Sequence, residues 1–371
     1  MKLWKRLWGR KNPAEARPEP SAATLPEKHP VPVVPEATRP VSEAMPTSAA
    51  SVPRSPLSGV PPGWLGPSEL AAIGSTRDEK VLVRRILEMI PGASSEDALF
   101  RFHLSQAFIL GEYPLPILPA TALRVLDLAH KSNVSLYDYA RLVEADPGLA
   151  KSVLNRANTA IYASAGECTS LGQAMSLVGM QELERIAFMH AFGSQVFRVR
   201  GHNELVESVS RHGLAAALGS QQLAFLTGVS QTDSFLAGLF HDCGKLVILN
   251  VVSEAQRKLK RIAPVTLIES ACNTFHVVVG EDACRRWGLM PSIIRALTNH
   301  HSQLASEDVL DTTVYLGNQV AHAAELPEPV IALPADDPVL VASKLTQADL
   351  QLAAAKTRVE LTQYALIMKW R

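Results

Sequence analysis

The adjacent residues His241 and Asp242 offer the clearest chemistry in this chain, because an imidazole beside a carboxylate can hold a divalent metal ion. They lie in the sequence FHDCGKLVIL, residues 240–249. More histidines occur on other segments with helical patterns, namely His212 upstream and His276, His300 and His301 downstream. The set predicts either a metal centre that hydrolyses a phosphate ester or a polar cluster with a structural role.

Hydrolysis at such a centre requires a cation that polarises the phosphoryl oxygen and lowers the pKa of a bound water to about 7. The competing interpretation is a buried hydrogen-bonded triad of His212, His241 and Asp242, with the carboxylate as acceptor. Lys245 is either a phosphate contact or a solvated charge. Cys243 is interpreted as a small buried filler, since nothing beside it indicates a lowered thiol pKa.

The segments that must position these residues show helical periodicity and almost no strict alternation, so the predicted fold class is all-α. Capping patterns predict helix starts at Ser135, Asp146 and Ser170. Other helices are predicted from Pro119, from Met180 to about 197, and at about 203–226, 232–250, 264–273, 275–288, 291–302, 308–325 and 346–370.

Several polar residues in these helices are given no functional role. Glu182, Glu184 and Arg185 are interpreted as a solvated mixture, and NRANT (155–159) as helix surface. The isolated histidines are assigned no function; they are His103, His130, His190, His202 and His322.

The N-terminal part of the chain has a different composition. Residues 1–11, MKLWKRLWGRK, predict a basic amphipathic tip that either contacts a membrane surface weakly through Trp4 and Trp8 or is a disordered end. The tip has no apolar core, so no secretory signal is predicted. Residues 12–67 hold more than half of the 25 prolines and predict a disordered linker. The remaining boundaries are a helical lead-in at 68–111, a main domain at 112–325, and a C-terminal linker and helix at 326–371.

The overall composition excludes several classes of protein. Lys+Arg and Asp+Glu both number 36, so the net charge gives no general attraction to nucleic acid, and no nucleic-acid partner is expected. The four cysteines show no C-x-x-C spacing, which indicates a reducing, cytoplasmic setting. No apolar run approaches the roughly 20 residues of a membrane-spanning helix. Nucleotide-binding, serine-hydrolase and zincin motifs are absent from the sequence.

The order and spacing of six segments resemble the HDOD family, the HD-related output domains of bacterial signalling proteins. The resemblance covers roughly residues 110–325. The segments are LPILPATALRVLDLA (115–129), VEADPGLAKSVLNRANTAIY (143–162), TSLGQAMSLVGMQELERIAF (169–188), RHGLAAALGSQQLA (211–224), FLAGLFHDCGKLVIL (235–249) and FHVVVGEDACRRWGLMPSIIRALTNHH (275–301).

The resemblance implies a multi-helix bundle related to HD phosphohydrolases that serves as a protein-interaction output in a signalling pathway. His212 stands at the position of the first metal-ligand histidine, and His241 and Asp242 at the paired ligands. Lys245 stands where HD-GYP phosphodiesterases place a phosphate-contacting lysine. The remaining histidine positions that match are His276 in a His-x-x-x-Gly pattern and the pair His300 and His301.

The departure from the catalytic pattern is Asn318, which stands where an aspartate ligand belongs. A neutral amide is a weaker donor, so the set brings one negative charge instead of two and a bound divalent ion such as iron or manganese would be weakened. We therefore expect a non-catalytic, cytoplasmic regulatory module that binds a protein partner and needs no cofactor. The alternatives are a metal-dependent phosphohydrolase or cyclic-dinucleotide phosphodiesterase, and a scaffold peripheral to the inner membrane.

Overall fold

The structure is a computed structural model that describes residues 97–368 apart from 112, 117, 119, 130, 132, 193–198, 303–305, 327–329 and 332. Within these residues the fold is all-α, as predicted, and no strand is present. The predicted tip at 1–11, the linker at 12–67 and most of the lead-in lie outside the described residues. Contact of Trp4 and Trp8 with a membrane therefore stays a prediction.

The first half of the described chain is a set of short helices whose starts follow the capping patterns. Ser135 and Asp138 form a reciprocal capping box, Asp146 caps the next helix, and Ser170 accepts from the amide of Gln173. These helices are α1 (Ala98–Leu110), α2 (Ala120–Ala129), α3 (Leu136–Glu144), α4 (Pro147–Ala157), a 3-10 turn (Ala160–Ala165), α5 (Leu171–Val178) and α6 (Met180–Phe192).

The second half contains the longer helices that carry the candidate site. They are α7 (Asn203–Thr227), α8 (Gln231–Phe240), α9 (Cys243–Leu259), α10 (Val265–Trp287), α11 (Pro291–Asn299), α12 (Val309–Glu325), α13 (Pro338–Ser343) and α14 (Gln347–Met368). Buried apolar side chains from α1 through α14 form one main core, and a second, smaller cluster lies between α7, α12, α13 and α14.

Two of the predicted helix boundaries were wrong. The single helix predicted at 232–250 breaks at His241 and Asp242. Asp242 is the non-helical N-cap residue of α9, and its side chain makes no cap hydrogen bond. The two helices predicted at 264–273 and 275–288 are one continuous α10, in which Thr274 donates its hydroxyl to the carbonyl of Ser270. A polar residue whose hydroxyl is satisfied within its own helix need not end that helix.

A glycine brings the two helices on either side of the site into backbone contact. A Cβ added to Gly244 on α9 would overlap the carbonyl oxygen of His276 on α10, and one on Gly280 would lie 3.2 Å from the nitrogen of Gly244. Only glycine permits this approach. The crossing holds Asp242, two residues before Gly244, beside His276.

The C-terminal helix α14 packs on the domain through a buried set of charges, which we call the arginine–glutamate network: Arg156, Glu182, Arg185, Glu360 and Tyr364. Arg156 donates to Glu182, and Tyr364 donates to the same carboxylate at 2.7 Å. Arg185 lies 3.2 Å from both Glu182 and Glu360. The interpretation of Glu182 and Arg185 as solvated was wrong, because α14 packs over them. Of residues 155–159, Arg156 and Ala157 are buried, whereas Asn155 and Asn158 are exposed, as predicted for helix surface.

One stretch of the described chain, Gln231–Leu259 across α8 and α9, is long and apolar enough to cross a membrane. Of its most apolar window, 83% is buried inside the protein. Burial of that extent is what a core helix shows, and the stretch packs as the centre of the bundle.

Candidate metal centre

The candidate site lies where four helix segments meet around the break between α8 and α9. His241 ends α8 and Asp242 begins α9, so both side chains emerge at the junction. The other members come from the middle of α7, the middle of α10 and the end of α11; they are His212, His276, His300 and His301. The structure therefore brings together all six of the histidine and aspartate residues that the sequence singled out.

Three of the histidines are held in the same way. Their Nδ1 atoms lie 2.5–2.7 Å from backbone carbonyl oxygens, which accept only from a protonated nitrogen. The pairs are His241 with Gly238, His276 with Cys272, and His300 with Leu297. In a neutral imidazole the proton on Nδ1 leaves Nε2 as an unprotonated lone pair. The local backbone thus fixes the tautomer that a metal ligand requires.

The unprotonated nitrogens converge on the carboxylate of Asp242. Its Oδ1 atom lies 3.4 Å from Nε2 of His276 and 3.6 Å from Nε2 of His300. Its Oδ2 atom lies 3.4 Å from Nε2 of His241 and 3.9 Å from Nε2 of His212. For His241, His276 and His300, whose Nε2 atoms are unprotonated, nitrogen lone pairs therefore face the oxygen lone pairs of Asp242 across 3.4–3.6 Å, an arrangement that a cation between them would stabilise.

The predicted hydrogen-bonded triad of His212, His241 and Asp242 is present in space but not as a hydrogen-bonded unit. Nε2 of His241 and Oδ1 of Asp242 are buried and make no hydrogen bond within the described part of the chain, and the same holds for Nε2 of His300. Buried polar atoms are nearly always satisfied, so three such atoms at one point call for an explanation.

His301 completes the group on the Oδ1 side of Asp242. Its Nε2 atom lies 2.9 Å from Nε2 of His276, so one of the two nitrogens must carry a proton or both must face a cation. Burial, with the neighbouring His300 and His276, lowers the pKa of His301 far below its ordinary value. A neutral ring at this point leaves His301 available as a ligand.

The α7 side of the site contains two residues that the sequence analysis missed. Nδ1 of His212 lies 2.9 Å from Oε2 of Glu325, and its ring lies 4.6 Å from the ring of His322. Nε2 of His212 lies 3.0 Å from Oδ1 of Asn318. Asn318, His322 and Glu325 are spaced i, i+4, i+7 on α12, and this spacing is the signal that could have found them.

Lys245 contacts the site directly and is not simply a solvated charge. Its Nζ atom lies 2.6 Å from Oδ2 of Asp242. Burial would raise the pKa of Asp242, but the Lys245 ammonium, aided by His241, outweighs it and holds that pKa well below its usual range. Asp242 is therefore an ionised carboxylate with one oxygen paired to an ammonium and the other unpaired.

Cys243, next to Asp242, fills space as predicted. The side chain is buried and its sulfur lies 3.5 Å from that of Cys284 on α10. Burial raises the pKa of the Cys243 thiol well above its ordinary value. A thiol that stays protonated is neither a nucleophile nor a metal ligand.

The donor atoms of the described residues form three groups, and in each the ligand atoms lie within 4.8 Å of one another. Two of the groups share Asp242: Asp242 with His276, His300 and His301, and His212 with His241 and Asp242. The third consists of His212, His322 and Glu325. Imidazole nitrogens with one carboxylate suit zinc, iron, nickel or manganese better than magnesium or calcium. The orphaned nitrogens, the fixed tautomers and the ionised carboxylate all fit a divalent transition-metal ion.

Comparison with known proteins agrees with this architecture. The model of the HDOD domain family matches residues 115–303, which is just over half of the 371 residues. The chain belongs to the HDOD family. The match runs from before α2 through α11 and includes every histidine of the cluster, but it ends before α12. Asn318, His322 and Glu325 therefore lie beyond the part that the family model describes.

Two curated relatives extend the comparison of this HDOD chain. An uncharacterised protein of Treponema pallidum (strain Nichols) is 24% identical over 200 residues, which cover 51% of this chain and 38% of that protein. Ribonuclease Y of Syntrophobacter fumaroxidans is 24% identical over 147 residues, which cover 38% of this chain and 24% of the enzyme. This chain thus spans well under half the length of the curated relatives it matches.

A solved structure shows that the HDOD fold extends beyond the family match. A candidate signal transduction protein from Marinobacter aquaeolei VT8 aligns with a TM-score of 0.52 and 20% identity, over 81% of this chain and 68% of that one. At this identity the likeness establishes a shared fold.

Proposed function

We propose that this HDOD protein is a regulatory module of a bacterial signalling pathway that acts by binding a protein partner. We propose further that its histidine–aspartate cluster holds a divalent metal ion as a structural centre and does not turn over a substrate. The observation that carries the metal is the convergence of three buried, unpaired ligand atoms on one point: Nε2 of His241, Nε2 of His300 and Oδ1 of Asp242.

A structural role is supported by how little of the cluster a substrate could reach. His241 and His300 are at most 1% exposed, and Asp242 is 4% exposed. A phosphodiester must contact the ion or its bound water to be hydrolysed. The neutral amide of Asn318 also supplies no negative charge of its own to the cluster. Coordination that ties α8, α9, α10 and α11 together would stabilise the bundle without chemistry.

A signalling role is supported by the HDOD family itself and by the Marinobacter relative described as a candidate signal transduction protein. The partner surface that we propose lies on α2, α3 and α4. Exposed apolar side chains on and beside these helices would be buried by a partner; they are Leu123, Leu136, Tyr137 and Ile161.

The partner surface can be tested with a photo-cross-linking amino acid at position 137, compared with the same amino acid at Arg285 on the exposed side of α10. We expect a discrete cross-linked protein adduct in cells from position 137 and none from 285. Equal cross-linking from both positions would contradict the assigned surface.

The metal can be tested on the full chain stripped with a chelator and reloaded with Mn²⁺, Fe²⁺ or Zn²⁺. At a hundredfold excess over the Kd, binding should stabilise the fold by about 2.7 kcal/mol. His300→Ala and His276→Gln should abolish this gain, whereas His103→Ala on α1 should retain it. Unchanged stability and no retained metal in the wild-type chain would refute the structural centre.

The second candidate function is a metal-dependent phosphohydrolase. It is favoured by the open edge of the site, where Lys245 is 24% and Glu325 22% exposed, and by the relative named Ribonuclease Y. The loaded chain should be assayed against bis(p-nitrophenyl) phosphate, cyclic di-GMP and RNA. We expect no hydrolysis above buffer. Turnover that His300→Ala removes would establish the enzyme instead.

A further inference from the structure

His212 differs from the other cluster histidines in the partner of its Nδ1 atom. His241, His276 and His300 donate from Nδ1 to backbone carbonyls, whereas Nδ1 of His212 lies 2.9 Å from Oε2 of Glu325. A carbonyl presents a dipole, but a carboxylate presents a full negative charge. Four histidines have Nε2 atoms that face Asp242. Of these four, His212 is the one whose Nδ1 partner carries a negative charge.

The carboxylate of Glu325 contacts the same imidazole ring as Asn318, the residue that lacks the expected negative charge. Nε2 of the same imidazole lies 3.0 Å from Oδ1 of Asn318, the neutral amide in the place of a carboxylate. Glu325 and Asn318 therefore contact opposite nitrogens of the His212 ring. Its second oxygen lies 3.7 Å from Nε of Arg211, a partly exposed pair that screening weakens.

We propose that Glu325 is a positioning residue that supplies, through His212, the negative charge that Asn318 does not, and so allows a second divalent cation to bind between His212, His241 and Asp242. The inference rests on the proposed metal centre. Nδ1–H of His212 donates to Glu325, and a cation at Nε2 would replace the hydrogen bond from Nε2 to Oδ1 of Asn318, with Oδ2 of Asp242 3.9 Å away. A carboxylate behind a ligand imidazole orients the ring and raises its basicity.

Close packing of α7 against α12 keeps Glu325 in register with His212. A Cβ on Gly317 would overlap the backbone and hydroxyl of Ser220, and a Cβ on Gly219 would lie 2.8 Å from Cγ1 of Val320. The two backbones therefore touch about two turns from His212. The contact fixes which face of α12 meets α7, and Asn318 and Glu325 lie on that face.

The test compares Glu325→Gln, which keeps the shape and removes the charge, with the wild-type full chain. After chelator treatment, Mn²⁺ binding is measured by equilibrium dialysis and metal analysis. We expect two Mn²⁺ per wild-type chain, and in Glu325→Gln a second ion bound about 10–100-fold more weakly with the first unchanged. Glu281→Gln on α10, which removes a carboxylate paired with Arg285, should bind both ions as the wild type does.

A second variant places the negative charge at position 318 instead of position 325. Asn318→Asp in the Glu325→Gln background should recover the second ion, and Asn318→Asp alone should tighten it. The melting temperature of the metal-free Glu325→Gln protein should equal that of the wild type, since the proposed role is in metal binding. If that variant folds poorly, the Asn318→Asp protein alone decides the question.

The outcomes separate this inference from the metal centre on which it rests. Absence of any bound Mn²⁺ in the wild-type chain would remove the proposed centre. One bound ion in the wild type, or two that Glu325→Gln leaves equally tight, would overturn the role of Glu325 while the centre stands. An equal loss of both ions with a lowered metal-free melting temperature would make Glu325 a structural residue and overturn the proposal as well.

Discussion

The arginine–glutamate network and the histidine–aspartate cluster are both buried sets of polar side chains, but they are satisfied in opposite ways. In the network, Glu182 accepts from Arg156, Arg185 and Tyr364. Glu360 pairs with Arg185 and accepts from Gln222 at 2.8 Å. Two cations face two anions, and apart from Nε of Arg185 the charged atoms have partners within the described chain.

The cluster contains many more acceptors than protons. Nε2 atoms of three histidines face the single carboxylate of Asp242, and only Oδ2 of that carboxylate is paired with a cation of the chain, Lys245. Burying acceptors that lack donors costs free energy. Apart from Nε of Arg185, the first set is satisfied by atoms of the described chain. In the second set, we propose, a cation from solution satisfies the unpaired acceptors.

The difference between the two regions teaches how to distinguish a structural charge network from a ligand site. Burial and charge are similar in both, since Arg156 and Glu182 are as inaccessible as His276 and Asp242. What separates them is the balance of donors and acceptors. Added metal should change the effect of substitutions in the cluster and leave the effect of substitutions in the network unaltered. The following predictions depend on that contrast.

The largest expected effect is the loss of a network charge. Arg156→Met should destabilise the fold by about 3–5 kcal/mol, because it leaves the buried carboxylate of Glu182 without its main cation. Urea unfolding of the full chain measures the loss, which should be the same with and without added Mn²⁺. The matched control is Arg285→Met, whose exposed pair with Glu281 should contribute at most about 1 kcal/mol.

A loss below about 1 kcal/mol for Arg156→Met would contradict a network that depends on mutual neutralisation. A loss that Mn²⁺ reverses would show that the two regions are coupled and would end the comparison.

Acidification tests the buried histidines of the cluster. Burial is the main cause that lowers the pKa of His241 to about 4 and that of His276 to about 3 in the metal-free protein. Because each folded-state pKa lies below the unfolded value of about 6.5, the unfolded chain takes up protons first as the pH falls. This contribution to stability is therefore complete above about pH 6.5 and is lost as the pH falls toward 4.

Urea unfolding in the presence of a chelator at pH 7.5, 6.5, 5.5 and 4.5 measures this loss, which we expect to be about 1–3 kcal/mol. His241→Gln should flatten the profile. A wild-type profile that is flat between pH 6.5 and 4.5 would show that His241 and His276 are not held neutral by burial.

The sequence predicted the elements whose signals are local. Ser135, Asp146 and Ser170 cap helices where their spacing indicated, because a capping bond involves only the next few residues. The family resemblance predicted which residues would converge on Asp242. Periodicity did not predict the break at His241, because the apolar pattern continues across it.

The parts that the sequence did not predict depend on contacts between distant segments. Glu182 was interpreted as solvated, yet it is buried by Tyr364, 182 residues away. Glu325 was not considered because its partner His212 is 113 residues away, and His322 had no apparent role until α12 was packed on α7. A charge count along the sequence found the deficit at Asn318, but it could not find a carboxylate that acts through another side chain.

The smallest expected effect concerns Lys245, whose ammonium is a cation that the described chain itself supplies to Asp242. Its ammonium lies 2.6 Å from Oδ2 of Asp242 and repels any metal ion that approaches the same oxygen. Lys245→Met should therefore tighten Mn²⁺ binding by about tenfold, equivalent to about 1.4 kcal/mol. Lys258→Met, an exposed residue of the same helix, should leave the affinity unchanged. Isothermal titration of the stripped chains measures both affinities.

Weaker binding in Lys245→Met would mean that the ammonium holds Asp242 in place for the metal instead of competing with it. The cluster would then resemble the network in relying on an internal cation.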